Sequence, residues 1–380
     1  MAPSLADLHT NAIVLAAKRK WLDARDSCFI VGLALPVPKR PAHVFDDRRP
    51  ATAEDVARLA GISQSAVSRA FTEGASISEA MREKVREAAG QLGYRPNLIA
   101  RSLISGRSNI VGVGIGNLEN PFLASTLDML SLSLAEAGLR LLLFTTNPRG
   151  AIETSIQEVL QYRLDALVLL ATALSPTLAV QCRDARVPIV LYNRSSSEPG
   201  VSTVNGDNAH GATAIADFLL DGGHRRLAFM AGMDESSASR EREEAFGAQI
   251  GRRKGPPAVR ESGQFTHAGG MAAARRLLSR PDRPDAIFCA NDDMAIAAID
   301  VARSEFGLKV GQELSVVGFG DVSTARWPSF SLTTFSQPID KMVAETMGIV
   351  AALRDGEIGA VSRVVKGELI IRDSARRPPR

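Results

Sequence analysis

Between Thr52 and Leu92 the apolar residues recur at helical spacing. Val56, Leu59 and Ala60 form one stripe, Val67, Ala70 and Phe71 a second, and Met81, Val85, Ala88 and Leu92 a third. A hydroxyl residue stands ahead of each run: Thr52, Ser63 and Ser78. Such a side chain accepts one of the backbone N–H groups left free at a helix start. The pattern predicts three short helices over residues 51–95, the first two joined by the glycine turn "AGIS". So small a core is only marginally stable alone.

From Ile110 onward the pattern changes. Near-continuous apolar runs appear, "IVGVGIG", "RLLLFT", "ALVLLA", "PIVLY", "RLAFMA", "AIFCA" and "LSVVGF", with amphipathic stretches between most of them. Such runs separated by helices indicate parallel sheets covered on both faces. The remaining length exceeds what one sheet needs, so residues 110–380 are expected to form two similar α/β lobes, each a doubly wound parallel sheet. Ligands then bind at the carboxyl ends of the strands and between the lobes.

Residues 96–109 read as a connector. Pro96 stops the third helix, Asn97 can cap another, and Ile99 and Leu103 lie four apart, the spacing of a one- to two-turn helix. Such a helix is too short to stand by itself. Residues 1–49 show no sustained period, and prolines at 36, 38 and 41 break them; they are expected to be a poorly ordered extension. The run "SCFIVGLALPVP" starts too far from Met1 for an ordinary signal peptide. No apolar run approaches the roughly 18 residues that span a bilayer, and no membrane partner is expected.

Composition changes this picture little. A chain of 380 residues with 45 basic and 42 acidic side chains carries a net charge of +3, too small to identify a nucleic-acid partner. Placement says more: between Glu87 and Glu119 there is no acidic residue, while Arg95, Arg101 and Arg107 lie there. A phosphate-lined partner and a solvated linker both fit that stretch. The cysteines, Cys28, Cys182 and Cys289, are scattered and odd in number, without a CxxC pair or Cys/His cluster. Neither a disulfide framework nor a metal site is expected, and the usage fits a reducing cytoplasm. Cys289, in "AIFCA", reads as a buried structural thiol.

The second helix poses the functional question. Gln64, Ser65, Ser68, Arg69 and Thr72 share its outward side, with no Lys or Glu among them. A solvated face is one reading. The other is a base-reading face, since Arg pairs bidentately with guanine, Gln with adenine, and Ser with bases or phosphates. Two helices joined by a tight turn, the second bearing such a face, are what a helix-turn-helix needs in the major groove.

The stretch "TAEDVARLAGISQSAVSRAF", continued by "SISEAMREKVREAAGQLGYRPNLIARSLISGRSNIVGVGIGNLENPF", resembles the lactose-repressor (LacI/GalR) family of bacterial transcription regulators. The resemblance continues through "GDNAHGATAIADFLLDGGHRRLAFMAG", "REREEAF", "CANDDMAIAAI", "LSVVGFGDV" and "LTTFSQP", from residue 51 to about 374 in the family's order. It implies an all-α helix-turn-helix DNA-binding domain and hinge helix, then a periplasmic-binding-protein-like sensor. Lobe one is expected at about 110–205 plus 336–355, and lobe two at about 206–335 plus 356–380. It further implies a dimeric regulator, most often a repressor, that binds a near-palindromic operator in double-stranded DNA and answers to a small effector, of carbohydrate type.

Carried over position by position, Gln64, Ser65 and Arg69 match base-reading positions. Thr52, Ser63, Ser68 and Thr72 match caps or phosphate holders, Tyr94 and Asn97 match backbone contacts, and Arg101 of the basic connector is added as a DNA-binding candidate. Met81 stands where many relatives carry a phosphate-binding Thr. Leu103 matches the hinge leucine that wedges into the minor groove, where an apolar wedge unstacks a step and bends the duplex; packing as a linker residue is the alternative. In the sensor, Asn120 and Phe122 of "NPF", Arg242, Asp292 and Gln337 match effector-contacting positions, with Arg194 and Trp327 added as further candidates. Asp292 could instead cap its helix, Phe122 could be core, and Trp327 could be surface packing. Gly320 and Ala245 depart from the family's commonest residues.

Two rival readings are weaker. An α/β enzyme could use His210, His224 or Asp321, but no GxSxG elbow or P-loop appears, and "GVGIGN" is an incomplete glycine loop. A transport-type sugar-binding protein has no use for residues 52–95. No catalysis and no cofactor are expected.

Overall fold

The first helix, α1 (Ala53–Ala60), begins in a capping box. Thr52 accepts from the Asp55 N–H, and the Asp55 carboxylate accepts from the Thr52 N–H. Gly61, at φ 64°, turns the chain into α2 (Gln64–Ala70), and α3 (Glu79–Leu92) closes the bundle. Val56, Val67 and Val85 are fully buried at its centre, with Phe71 and Tyr94 packed at 5.9 Å between ring centroids. The computed structural model describes residues 49–72, 74–96, 107–145, 160–356 and 359–379. The chain divides into two compact units, residues 1–95 and 96–380. The expectations for residues 1–48, and for Asn97, Arg101 and Leu103, lie outside the described residues.

The second unit holds two six-stranded sheets. Strands β1 (Ile110–Ile115), β2 (Arg140–Thr145), β3 (Ala166–Leu170), β4 (Ile189–Tyr192) and β5 (Val201–Gly206) build the first with β11 (Ser362–Val365). Its order is β11-β5-β4-β3-β1-β2, parallel throughout. Strands β6 (Leu227–Ala231), β7 (Val259–Ser262), β8 (Ala286–Cys289), β9 (Ser315–Gly320) and β10 (Thr333–Ser336) build the second with β12 (Leu369–Ile370). Its order is β12-β10-β9-β8-β6-β7, with β12 antiparallel. Helices α4 (Pro121–Glu136), α5 (Pro176–Asp184) and α10 (Ile339–Asp355) accompany the first sheet, and α6 (Asn208–Asp221), α7 (Ser237–Arg252), α8 (His267–Leu278) and α9 (Asp292–Ser304) the second. The chain therefore crosses between lobes near Gly206, Ser336 and Lys366.

Two features depart from the pattern reading. Helix α2 ends at Ala70, so Thr72 lies beyond it, and its hydroxyl donates back to the Ser68 carbonyl at 2.9 Å. The third crossing falls after Val365 rather than at 356, because β11 pairs with β5 in the first lobe. Its sequence, "SRVV", exposes three of four residues at a sheet edge and carries no apolar run to announce it.

Five phenylalanines fill the second lobe's core. Phe229 and Phe246 meet Phe288 at 5.2 and 5.1 Å between centroids; Phe288 leads to Phe319 at 6.3 Å, and Phe319 to Phe335 at 5.2 Å. No helix among the described residues is long and apolar enough to cross a membrane.

Candidate DNA-reading face and interlobe cleft

The outward side of α2 sorts itself by what its side chains already hold. Ser63 caps the helix by accepting from the Ala66 N–H, and its hydroxyl lies 2.9 Å from that of Ser65. Gln64, Ser68 and Arg69 are exposed, and their side chains bond no described residue. Thr52 is committed to its capping box, its hydroxyl donating to Asp55 at 2.7 Å. Tyr94 is half-buried in the bundle, and burial raises its phenol pKa.

Three residues that the sequence reading did not single out for function brace the helical unit, Arg82 at the end of α2 and Asp55 with Arg49 at the start of α1. Arg82, from α3, donates to the Ala70 carbonyl at 2.8 Å and closes the end of α2. Asp55 is 2% exposed and receives a two-armed contact from Arg49 at 3.0 and 3.1 Å. The Thr52 and Arg49 hydrogen bonds lower its pKa to about 2. The capping-box spacing was visible in sequence; the partners Arg49 and Arg82 carried no local signal.

Arg242 is the centre of the second unit's site. It lies on α7, is 2% exposed, and stacks its guanidinium 3.7 Å above the Phe319 ring. It donates to Asn208 Oδ1 at 2.9 Å, to Gln337 Oε1 at 3.2 Å and to the Ala290 carbonyl. Burial draws its pKa down to about 9, against the pull of Glu241 and Asp292, so it remains charged at neutral pH.

From Arg242 a chain of hydrogen bonds reaches both lobes. The Gln337 amide donates to Asn193 at 3.0 Å, just past β4. On the other side Asn208 donates to Glu241 at 2.7 Å, and Glu241 accepts from the Ser195 hydroxyl at 2.6 Å. Arg194, 7% exposed, donates to the Ala171 carbonyl and across to the Glu235 carbonyl; burial lowers its pKa. Arg242 and Gln337 thus enter one network, joined by Asn193, Ser195, Asn208 and Glu241, whose polar side chains gave no pattern to read, while Arg194 makes a separate bond to the Glu235 carbonyl.

Asp292 is buried at the first position of α9, capped by Asn291. Its oxygens accept from Thr334 at 2.5 Å and from the Val322 N–H at 2.8 Å. Burial raises its pKa to about 6, although both hydrogen bonds lower it. Gly318 is required beside it, since a Cβ there would come within 2.2 Å of Asp292 Oδ1. Asp292 therefore holds the carboxyl ends of β9 and β10 together. Two buried groups, Asn205 Oδ1 at the end of β5 in the first lobe and Asn291 Nδ2 after β8 in the second, have no hydrogen-bond partner among the described residues.

The remaining candidates lie apart from this network. Asn120 caps α4, accepting from the Phe122 N–H at 3.0 Å. Phe122 is 6% exposed and packs in the core, 6.3 Å from Tyr192. Trp327 is 55% exposed and stacks on Phe330. Among the described residues no group of three His, Cys, Asp or Glu side chains could hold a metal ion.

Comparison with known proteins agrees with both halves. Residues 52–97 match the model for bacterial regulatory proteins of the lacI family, and residues 216–375 that of a periplasmic binding protein-like domain. The ribose operon repressor of Escherichia coli K12 is 32% identical over 297 residues, 77% of this chain and 89% of that protein. The HTH-type transcriptional repressor CytR of the same strain is 30% identical over 334 residues, covering 87% and 97%. Among solved structures, the lac repressor dimer bound to operator and the anti-inducer ONPF superposes with a TM-score of 0.77 at 25% identity, over 86% of this chain and 100% of that one. The transcriptional regulator CelR in complex with cellobiose gives 0.65 at 30% identity, over 85% and 99%.

Proposed function

The chain belongs to the lacI family of bacterial regulatory proteins, and from that premise we propose a dimeric, cytoplasmic repressor that a carbohydrate releases from, or holds on, a near-palindromic operator. It is a DNA-binding transcriptional regulator. The observation that carries the rest is the division of labour on α2. Gln64 and Arg69 are exposed and uncommitted, while Ser63, Thr52 and Thr72 are spent on the helices themselves. Gln64, Ser65 and Arg69 read base edges, and Ser68 and the connector residues Asn97 and Arg101 take phosphates. Leu103 supplies the minor-groove wedge.

The effector lies in the cleft beside Arg242, Gln337 and Asp292. Asn205 Oδ1 and Asn291 Nδ2 offer a buried acceptor and a buried donor without protein partners, and a polyhydroxylated ligand can satisfy both. The cellobiose complex of CelR and the ribose operon repressor make sugars the first compounds to test. Asn120, Phe122 and Arg194 shape the lobe-one side, and Trp327 is the outermost candidate.

Control then passes along α10. Gln337, bonded to Arg242, stands two residues before this helix. At the other end Arg354 donates to Asp165 at 2.8 and 3.0 Å and to Asn109 at 2.9 Å, while Asp165 accepts from the Ser108 N–H at 2.8 Å. A 17-residue helix of about 25 Å therefore links the cleft to the residues where the connector enters β1. A thermal-shift screen of sugars tests the ligand class. A sugar at ~100 times its Kd should add about 2.7 kcal/mol of stability. Stabilisation by nucleobases or amino acids alone would replace the carbohydrate reading.

A further inference from the structure

An arginine stands at the amino end of each of four neighbouring strands in the first lobe. Along the order β4-β3-β1-β2 these are Arg186, Arg163, Arg107 and Arg140. The first three precede their strands by three residues, and Arg140 opens β2. With adjacent strands about 4.8 Å apart, the row extends about 14 Å. Arg107, Arg163 and Arg186 also line, with Arg354 and Asp165, a cavity of about 500 Å³.

Two of the acids at this edge are already engaged, while Glu136 and Asp184 form no ion pair with any described residue. Asp165 is held by Arg354 at 2.8 Å, and Asp355 by Arg107 at 2.9 Å. Arg140, Arg163 and Arg186 are exposed and form no ion pair or side-chain hydrogen bond with any described residue. Arg163 and Arg186 moreover sit in left-handed turns, at φ 51° and 55°, a conformation that glycine or asparagine adopts with less strain. Local folding therefore does not explain either guanidinium.

The connector supplies the candidate occupant. It enters this edge at Arg107, twelve residues after Arg95 at the end of the DNA-reading unit. Fully extended, those residues span at most ~43 Å. Whenever α2 is seated, duplex phosphates are tethered within that reach, at one charge per about 1.7 Å of helix axis. Weakly hydrated, fork-shaped guanidinia suit phosphate oxygens.

We propose that Arg140, Arg163 and Arg186 form a second, sequence-independent DNA contact on the sensor unit, a row that takes the phosphodiester backbone of the duplex. The inference rests on the DNA-binding reading of the first unit. It is tested with full-length protein and a random-sequence duplex, by measuring affinity against salt for wild type and for the double variant R163N/R186N. Asparagine tolerates the left-handed turn and carries no charge, so the fold is kept. Losing two phosphate contacts lowers the magnitude of the slope of log K against log salt by about 1.8, and R163K/R186K restores it. An unchanged slope in the asparagine variant would overturn the inference. So would calorimetric binding of inorganic pyrophosphate without DNA that the variant loses while its slope stays that of wild type; the row would then serve a free phosphate ligand. Failure of the wild type to bind any duplex would overturn the first unit's reading as well, which keeps the two failures distinct.

Discussion

The guanidinium of Arg242 donates to the amide oxygen of Gln337 at 3.2 Å, while the same amide donates to Asn193 at 3.0 Å. One side chain of the second lobe is thereby tied, through a residue at the interlobe crossing, to the carboxyl end of a first-lobe strand. Any ligand that competes for Arg242 changes how the two lobes are held.

Replacing Arg242 with Gln should therefore silence the response to effector. It also strands the Asn208, Ala290 and Gln337 acceptors in a buried site, at a loss of at least about 2 kcal/mol. Calorimetry should record a fall in Tm of about 4–8 °C. An unchanged Tm together with normal effector response would show that Arg242 is a bystander.

Asp292 sets a pH dependence of definite sign. Its folded pKa is raised from 3.8 to about 6, chiefly by burial, so the folded state binds the extra proton between those values. Its contribution to stability is greatest below about pH 4 and is lost as pH rises through about 6, by at most ~3 kcal/mol. Denaturation of wild type and D292N across that window should converge at low pH and separate above it. Parallel curves throughout would assign the carboxylate an ordinary pKa.

Asp55 behaves in the opposite sense. Hydrogen bonds from Thr52 and Arg49 hold its pKa at about 2, below the usual 3.8. Its contribution is present above about pH 4 and is lost as pH falls toward 2. Unfolding of the helical unit followed by circular dichroism should show this acid limb in wild type and not in D55N.

How far this could be read from sequence varied with the kind of signal. Apolar periodicity revealed the three helices and seven strands, because burial on both sheet faces leaves continuous runs such as "ALVLL". It missed β5, β7, β10, β11 and β12, whose "VSTVNG", "VRES", "TTFS", "SRVV" and "LI" are short or mix polar with apolar residues. Asp292 and Gln337 were visible through family resemblance, yet their partners Thr334 and Asn193 were not, since a hydrogen bond between residues 144 positions apart leaves no local pattern. The polar stripe on α2 was legible, but only the folded helix separates Thr72, which bonds back to Ser68, from the uncommitted Gln64 and Arg69.

The anchor at the connector gives a further expectation. Asp165 accepts from the Ser108 and Asn109 N–H groups and from Arg354. In D165N these two amides should exchange with solvent at least about ten-fold faster, following loss of roughly 1.4 kcal/mol of local stability. DNA affinity should then respond less to effector. Normal exchange at both positions would remove α10 from the route of control.

The reading face is tested by Arg69→Ala, which should cost about 1–3 kcal/mol on the preferred site and relax the preference at one base pair. An equal loss on all sequences would reassign Arg69 to the phosphates.

The most direct measurement is selection of duplexes from a randomised pool by the purified full-length protein, with sequencing of the bound fraction. Two recognition helices carried by a dimer should enrich a near-palindromic site whose half-sites lie about one helical turn, or a multiple of it, apart. A pool that remains unenriched, or that converges on a single unrepeated half-site, would contradict a dimeric operator-binding regulator.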